Sequence, residues 1–302
     1  MDDQTPQEFQ GRISGSKDWR EIVAWVGDLP PMPQVAAKAI SMVENPDTTA
    51  QDLTDVLAKD TALAARVLKI ANSAMFARQR EITTLNQAIM LIGFKALKGI
   101  IVAATLRQIN KSFGPFERMV WENSMCTATA ATLICKKLKK PYHEEIFLLG
   151  LLHSLGQVVL LSKADTAKDY KGVIEKIKTS GVDYATSEQE FFGFSHPLIG
   201  ALVAKKWNFN AETCQVILHY KDPLEISRAE SDFEHKVGIV QLSDSLAHAA
   251  GIGSPAGYPD QLPLIAELLP YVGFDPKTAQ DTAKQLLEDT KAQFERDKAF
   301  YG

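Results

Sequence analysis

Gly150-Leu151-Leu152-His153-Ser154-Leu155-Gly156 decides the reading of this 302-residue chain. The heptapeptide lies inside Ile146 to Leu161, the most apolar stretch of the sequence. An apolar run of that length is either a buried helix or a short membrane segment, and His153, Ser154 and Gln157 interrupt it. Some 16 residues at about 1.5 Å each fall short of a bilayer core, so the reading is the central helix of a bundle, running from Glu144 to Ser162. A helix that is apolar on nearly every side must be packed on nearly every side.

Working outward, helical periodicity dominates and no strand or hairpin pattern emerges. Helices are expected at Trp19 to Val26, at Gln34 to Glu44, and from the N-terminal signal Thr49-Ala50-Gln51-Asp52. Asp60 is expected to cap Thr61 to Ala71, and Gly93 to close Thr84 to Ile92 in a left-handed conformation. Then follow Phe94 to Ile109 and Phe116 to Leu138, whose run Thr127 to Thr132 of small side chains admits a close neighbour. Further helices fit Ala167 to Thr179, Tyr184 to Phe192, Pro197 to Trp207, Ala211 to His219 and Phe233 to Ala250. Beyond Gly251 comes a loop rich in Gly and Pro, then Leu262 to Leu269 and a charged last helix from Pro276 to about Phe300. The fold class is all-α. We divide the chain into a flexible N-terminal segment (1–18), one domain (19–251, with halves at about 19–114 and 115–251) and a C-terminal helical extension (252–302).

Composition narrows the function. Apolar residues make up 45%, charged residues 23%, and the net charge is −4 without long single-sign blocks. A phosphate track needs clustered cations to displace counterions, so nucleic acid is not an expected partner. The densest basic stretch, Lys136, Lys137, Lys139 and Lys140, precedes Pro141 and suits the negative end of a helix dipole. Cys126, Cys135 and Cys214 are odd in number and lack paired spacing, as in a reduced cytoplasmic protein. Neither a leader sequence nor a membrane partner is expected.

Several ordered motifs resemble the HD-related output domain (HDOD) family, a branch of the HD phosphohydrolase superfamily. In the first half these are Leu29-Pro30-Pro31-Met32-Pro33, Asp60-Thr61-Ala62-Leu63, Asn72-Ser73-Ala74-Met75-Phe76 and Ala88 to Gly93, with Thr61 where the family usually has Pro. In the second they are Trp121-Glu122-Asn123-Ser124, the heptapeptide around His153, and Gly193-Phe194-Ser195-His196-Pro197-Leu198-Ile199-Gly200 with Trp207. The resemblance covers roughly residues 20 to 250. It implies an HD-like helical bundle that serves as a regulatory output in bacterial signalling.

The same resemblance locates the chemistry. HD hydrolases hold a metal with a His, a His-Asp pair and a later Asp, and the ion turns bound water into hydroxide. Here Asn123 stands where the first His belongs, His153 matches the pair, and Ser154 replaces its Asp. Asp244 matches the final Asp. His196 and His219 match extra histidines of the two-metal enzymes, and Tyr220 stands where another is common. A hydroxyl is a weak neutral donor where a carboxylate supplies charge. The expected outcome is therefore a damaged site without hydrolase activity, for which a divalent ion is the one cofactor to consider and none is expected to be held. Should metal bind, His153, His196, His219 and Asp244 are its candidate ligands; Asn123, Ser154 and Tyr220 would line the remaining cleft.

Plainer readings stand beside these. His153 is by default a hydrogen-bonded core histidine, Ser195 or His196 caps a helix that Pro197 opens, and His219 suits a helix C-terminus. His143, His235 and His248 have no motif behind them, Glu188 and Glu190 precede the glycine turn as acidic residues often do in the family and fit a solvated face or a local ion pair equally well, and Gly257-Tyr258-Pro259 reads as a turn. Three functions follow: a signalling module acting on a protein partner, a metal-dependent phosphohydrolase of nucleotides or phosphodiesters, and a sensor holding a nucleotide or anion in the cleft.

Overall fold

The computed structural model describes residues 12–13, 19–27, 32–73, 82–109, 114–224 and 228–301, and these carry helices joined by turns, with no strand among them. The first half contains α1 (Trp19–Gly27), α2 (Gln34–Val43), α3 (Ala50–Leu57), α4 (Thr61–Ala71), α5 (Leu85–Ile92) and α6 (Phe94–Ile109). Their starts follow from side chains that accept the free N–H groups of a first turn. Thr49 with Asp52 and Thr84 with Gln87 form reciprocal capping boxes, and Asp60 accepts from the Leu63 N–H. Gly93 has a positive φ of 83° but an extended ψ of 164°, so it redirects the chain into α6 rather than closing α5 with a left-handed turn. Leu29–Pro31 and Ala74–Phe76 of the motifs lie outside the described residues. So does the N-terminal segment 1–18 apart from two residues. Of these, Ile13 packs on the core and Arg12 pairs with Asp222.

The second half contains α7 (Pro115–Lys137), α8 (His143–Leu152), α9 (Leu155–Ser162), the single turn α10 (Ala164–Ala167), α11 (Tyr170–Ser180), α12 (Tyr184–Phe192), α13 (His196–Lys206), α14 (Ala211–His219) and α15 (Asp232–Ala249). After a loop come α16 (Leu262–Tyr271), a 3₁₀ turn (Pro276–Thr278) and α17 (Ala279–Tyr301). The expected continuous helix from Glu144 to Ser162 is in fact two. The chain leaves helical geometry at Ser154, with φ −94° and ψ 12°, directly after His153, whose φ of −55° and ψ of −36° are still helical. The window Glu145–Ser162 is long and apolar enough to cross a membrane but is 89% buried within the bundle.

Two cores explain the sidedness of α8. Phe147, Leu148, Leu151 and Leu152 join a first core with α1–α6, α9, α11–α13 and Phe294 of α17. Ile146 and Leu149 join a second core with α7, α15, α16 and Leu286 of α17. A helix shared between two cores needs apolar residues all round. It also needs small ones where backbones cross. A methyl group added to Gly150 would sit 2.8 Å from the Ala128 Cα, in the run of small residues on α7. One added to Gly156 would sit 2.0 Å from the His196 carbonyl oxygen, so α9 and α13 touch through a glycine. The two glycines of the heptapeptide thus hold α7 and α13 against the His153 turn.

Candidate functional site

That turn sits where α7, α13, the end of α14 and α15 meet. From α7 comes Asn123, from the α8–α9 break His153 and Ser154, and from α13 His196. Tyr220 and Lys221 follow the end of α14, and Asp244 and His248 lie one turn apart on α15. Asn123, His153, Ser154, His196, Tyr220 and Asp244 are all buried.

Asp244 is the hub. Its Oδ1 accepts from Asn123 Nδ2 at 3.2 Å and lies 3.3 Å from His153 Nε2 and 3.2 Å from His248 Nε2. Its Oδ2 accepts from Lys221 Nζ at 2.6 Å. Burial opposes the charge on Asp244, but Lys221 first and His248 next outweigh it and hold the carboxyl well below its usual range. Burial also opposes the charge on Lys221; Asp244, Tyr220 and Asp183 outweigh it and push the ammonium above its usual range. His153 Nδ1 donates to the Gly150 carbonyl at 2.6 Å, and its Nε2 faces Asn123 Oδ1 at 2.9 Å as well as Asp244. Both ring nitrogens of His153 are thus engaged by protein groups.

A second chain of bonds runs beside the first. Glu188, fully buried on α12, accepts from Tyr170 Oη (2.7 Å), from the His196 backbone N–H (2.7 Å) and from His196 Nδ1 (2.6 Å). The Tyr220 hydroxyl bonds His196 Nε2, and its ring meets that of His153 edge-on at 5.1 Å. Of the two readings open for Glu188, the solvated face is overturned and the local pair, with His196, is what the structure shows. Three donors converge on it, which is what a buried carboxylate requires. It also takes the role expected of Ser195 or His196 at the start of α13, since Ser195 makes no side-chain cap bond there.

Of the residues singled out in the sequence, the structure brings His153, Asn123 and Asp244 together and sets His196 and Tyr220 beside them. Ser154 is adjacent but turned away, its hydroxyl bonded to Ser124 Oγ. His219 stands apart and half-exposed, between Asp222 Oδ2 (2.7 Å) and Gln215 Oε1 (2.9 Å), with Arg12 against the same aspartate. Lys221, His248, Glu188 and Tyr258 were missed. Tyr258 belongs to a turn, as expected, but its ring stacks on His248 at 4.2 Å, and Ser254 of the same loop bonds His248 Nδ1 at 2.8 Å. Gly253 passes so close that a Cβ would lie 2.3 Å from the Asn123 Cβ, at a φ of +75° that favours glycine. The loop after Gly251 therefore closes the site.

These residues do not fit a divalent metal. Both oxygens of the sole acid among the expected ligands are taken, one by an ammonium, and Ser154 adds no charge. Among the described residues no three His, Cys, Asp or Glu side chains converge as a metal cage.

Comparison with known proteins accords with this architecture. The HDOD domain matches residues 29–223, a span that ends before Asp244. An uncharacterized protein of Treponema pallidum is 22% identical over 208 residues, 67% of this chain and 39% of that protein. The Bacillus subtilis protein YuxH is 24% identical over 99 residues, 33% of this chain and 24% of its own length. The chain thus spans well under half of either relative. Among solved structures, an HDOD domain protein of unknown function from Geobacter sulfurreducens superposes with a TM-score of 0.70 at 23% identity, covering 91% of this chain and 95% of that one. A Shewanella amazonensis protein provisionally named a phosphohydrolase gives 0.64 at 23% (90% and 97%). A Marinobacter aquaeolei protein provisionally named a signal transduction protein gives 0.67 at 19% (98% and 64%). At these identities the superpositions speak for the fold. The family match, which spans most of the chain and includes His153 and His196, assigns the protein: it belongs to the HDOD family.

Proposed function

We propose that the chain is a non-hydrolytic signalling output module of the bacterial cytoplasm, acting by contact with a protein partner. The observation that carries this reading is Ser154. It stands where an HD hydrolase has its bridging Asp, and its hydroxyl turns to Ser124 rather than toward His153 and Asp244. Metal-activated hydroxide needs the metal first, and the donors that would hold one bind each other instead. Contact surfaces are available in the first half, where Met90 and Leu91 of α5 are exposed, and on the outer face of α17. A second reading, metal-dependent hydrolysis of a nucleotide or phosphodiester, draws on His153 and Asp244 standing 3.3 Å apart. The sensor reading meets histidines whose ring nitrogens are all engaged by protein groups.

Turnover assays on nucleotides and phosphodiesters, with Mn²⁺ or Ni²⁺ added, separate the first two. The expected result is no hydrolysis above that of His153→Ala, together with purified protein free of stoichiometric metal. Hydrolysis that disappears in His153→Ala would replace the first reading with the second.

A further inference from the structure

The family match begins at Leu29 and ends at Pro223, yet its last residues are held by a side chain that precedes it. Arg12 crosses 210 positions of sequence to Asp222, donating from one nitrogen to Oδ1 at 2.9 Å and from the other to Oδ2. A guanidinium and a carboxylate that meet through two parallel bonds fix direction as well as charge. The second nitrogen also lies 3.0 Å from His219 Nδ1, and Ile13 packs against the first core. Arg12-Ile13 is therefore docked by a charged end and an apolar one, which is more than a solitary surface ion pair provides.

What it docks on is the turn that feeds the buried site. Between the two residues that Arg12 touches lie Tyr220, whose hydroxyl bonds His196 Nε2, and Lys221, whose ammonium bonds Asp244. The Asp222 carbonyl accepts from Gln241 Nε2 at 3.4 Å, which ties the same turn to α15 three residues before Asp244. His196 and Asp244 are buried, whereas the side chains of Arg12, His219 and Asp222 keep 23%, 28% and 35% of their surface exposed. The linkage is thus fastened from outside, where water and other charges compete for the guanidinium.

We propose that Arg12-Ile13 is a strap that holds the Tyr220–Asp222 turn against the buried site, so that drawing the strap away loosens Tyr220 and Lys221 from His196 and Asp244. An event that captures the chain ahead of the family domain thereby reaches a cluster with no open face of its own. The strap operates whether or not the chain hydrolyses a substrate, and it adds to the signalling reading a route from an exposed contact to the interior.

The test is amide hydrogen exchange in the full chain. The Tyr220 N–H donates to the Val216 carbonyl and the Asp222 N–H to the His219 carbonyl, so their exchange reads opening of the turn. The Ala88 N–H, bonded to the Thr84 carbonyl at the start of α5, reads the remainder of the fold. In Arg12→Gln the two turn amides exchange at least about fivefold faster than in wild type while Ala88 is unchanged, and Arg12→Lys falls between. In Asp222→Asn the strap is already free, so adding Arg12→Gln changes the turn rates by less than about twofold. The interior is read at the His196 ring nitrogens, whose ¹⁵N shifts move in Arg12→Gln toward those of Tyr220→Phe. Turn amides at wild-type rates in Arg12→Gln, or rising only in step with Ala88, overturn the strap, as do fully additive effects of the two substitutions. Unmoved His196 shifts confine Arg12 to the surface and overturn the coupling.

Discussion

His248 sets the acid side of this protein's stability. Burial pushes its imidazole down against the pull of Asp244, so folding favours the neutral ring. In an unfolded chain a histidine titrates near about 6.5 and an aspartate near about 3.9. Both His248 and Asp244 are lowered on folding, so the unfolded chain binds protons more tightly. Stability therefore falls as pH falls, first through the histidine range and then below about pH 4 as Asp244 is protonated. Lys221 is raised, and its contribution is lost only on the alkaline side, above about pH 10.4. Urea denaturation across pH checks this. His248→Gln should flatten the decline between about pH 7 and 5 and leave the limb below about pH 4; an unchanged upper limb would assign that decline to another group. Legibility at this scale follows the same division. His153, Asn123 and Asp244 were readable because their motifs sit on separate helices that the family brings together. His248 lies four residues after Asp244, on the same face of one helix, and that spacing was the available signal. Glu188 gave a weak one, its place before the glycine turn, and Lys221 gave none, since a charged side chain has no partner until the fold supplies it.

Most helix starts could be read from the chain because capping is local: Thr49, Thr84 and Asp60 act within three residues of themselves. The break between α8 and α9 could not, because no local capping signal marks it. Apolar residues run unbroken through Leu152 and Leu155, while just after the turn Gly156 lies against the His196 carbonyl of α13, a contact distant in sequence. Gly156→Ala should accordingly cost about 1–3 kcal/mol or more, since a methyl against backbone cannot be relieved by a rotamer change. Gly27→Ala, with nothing among the described residues within 4 Å of the added methyl, should be neutral or stabilise by up to about 1 kcal/mol. Chemical denaturation of the two variants decides the point; equal effects would mean that α9 and α13 separate freely.

At the scale of the whole molecule, the last helix proves to be wall rather than appendage. It lies along α7, touches α15, α16 and α4, and buries Leu286 in the second core and Phe294 in the first. Its composition left docking on the bundle or on a partner open, since a few apolar points in a charged sequence do not say which surface they meet. Burial of Leu286 and Phe294 is worth about 1.5–3 kcal/mol each, a large share of the 5–15 kcal/mol typical of a folded domain. A chain ended after Asp275 should melt at lower temperature, bind a hydrophobic dye and unfold less cooperatively; a sharp transition within a few degrees of the full chain would show that α17 is dispensable. Because both cores wait for side chains from α17, neither is complete until Phe294 has emerged from the ribosome. Throughout synthesis the nascent chain would carry open apolar seams, which makes it a natural client for chaperones that shield such surfaces during translation.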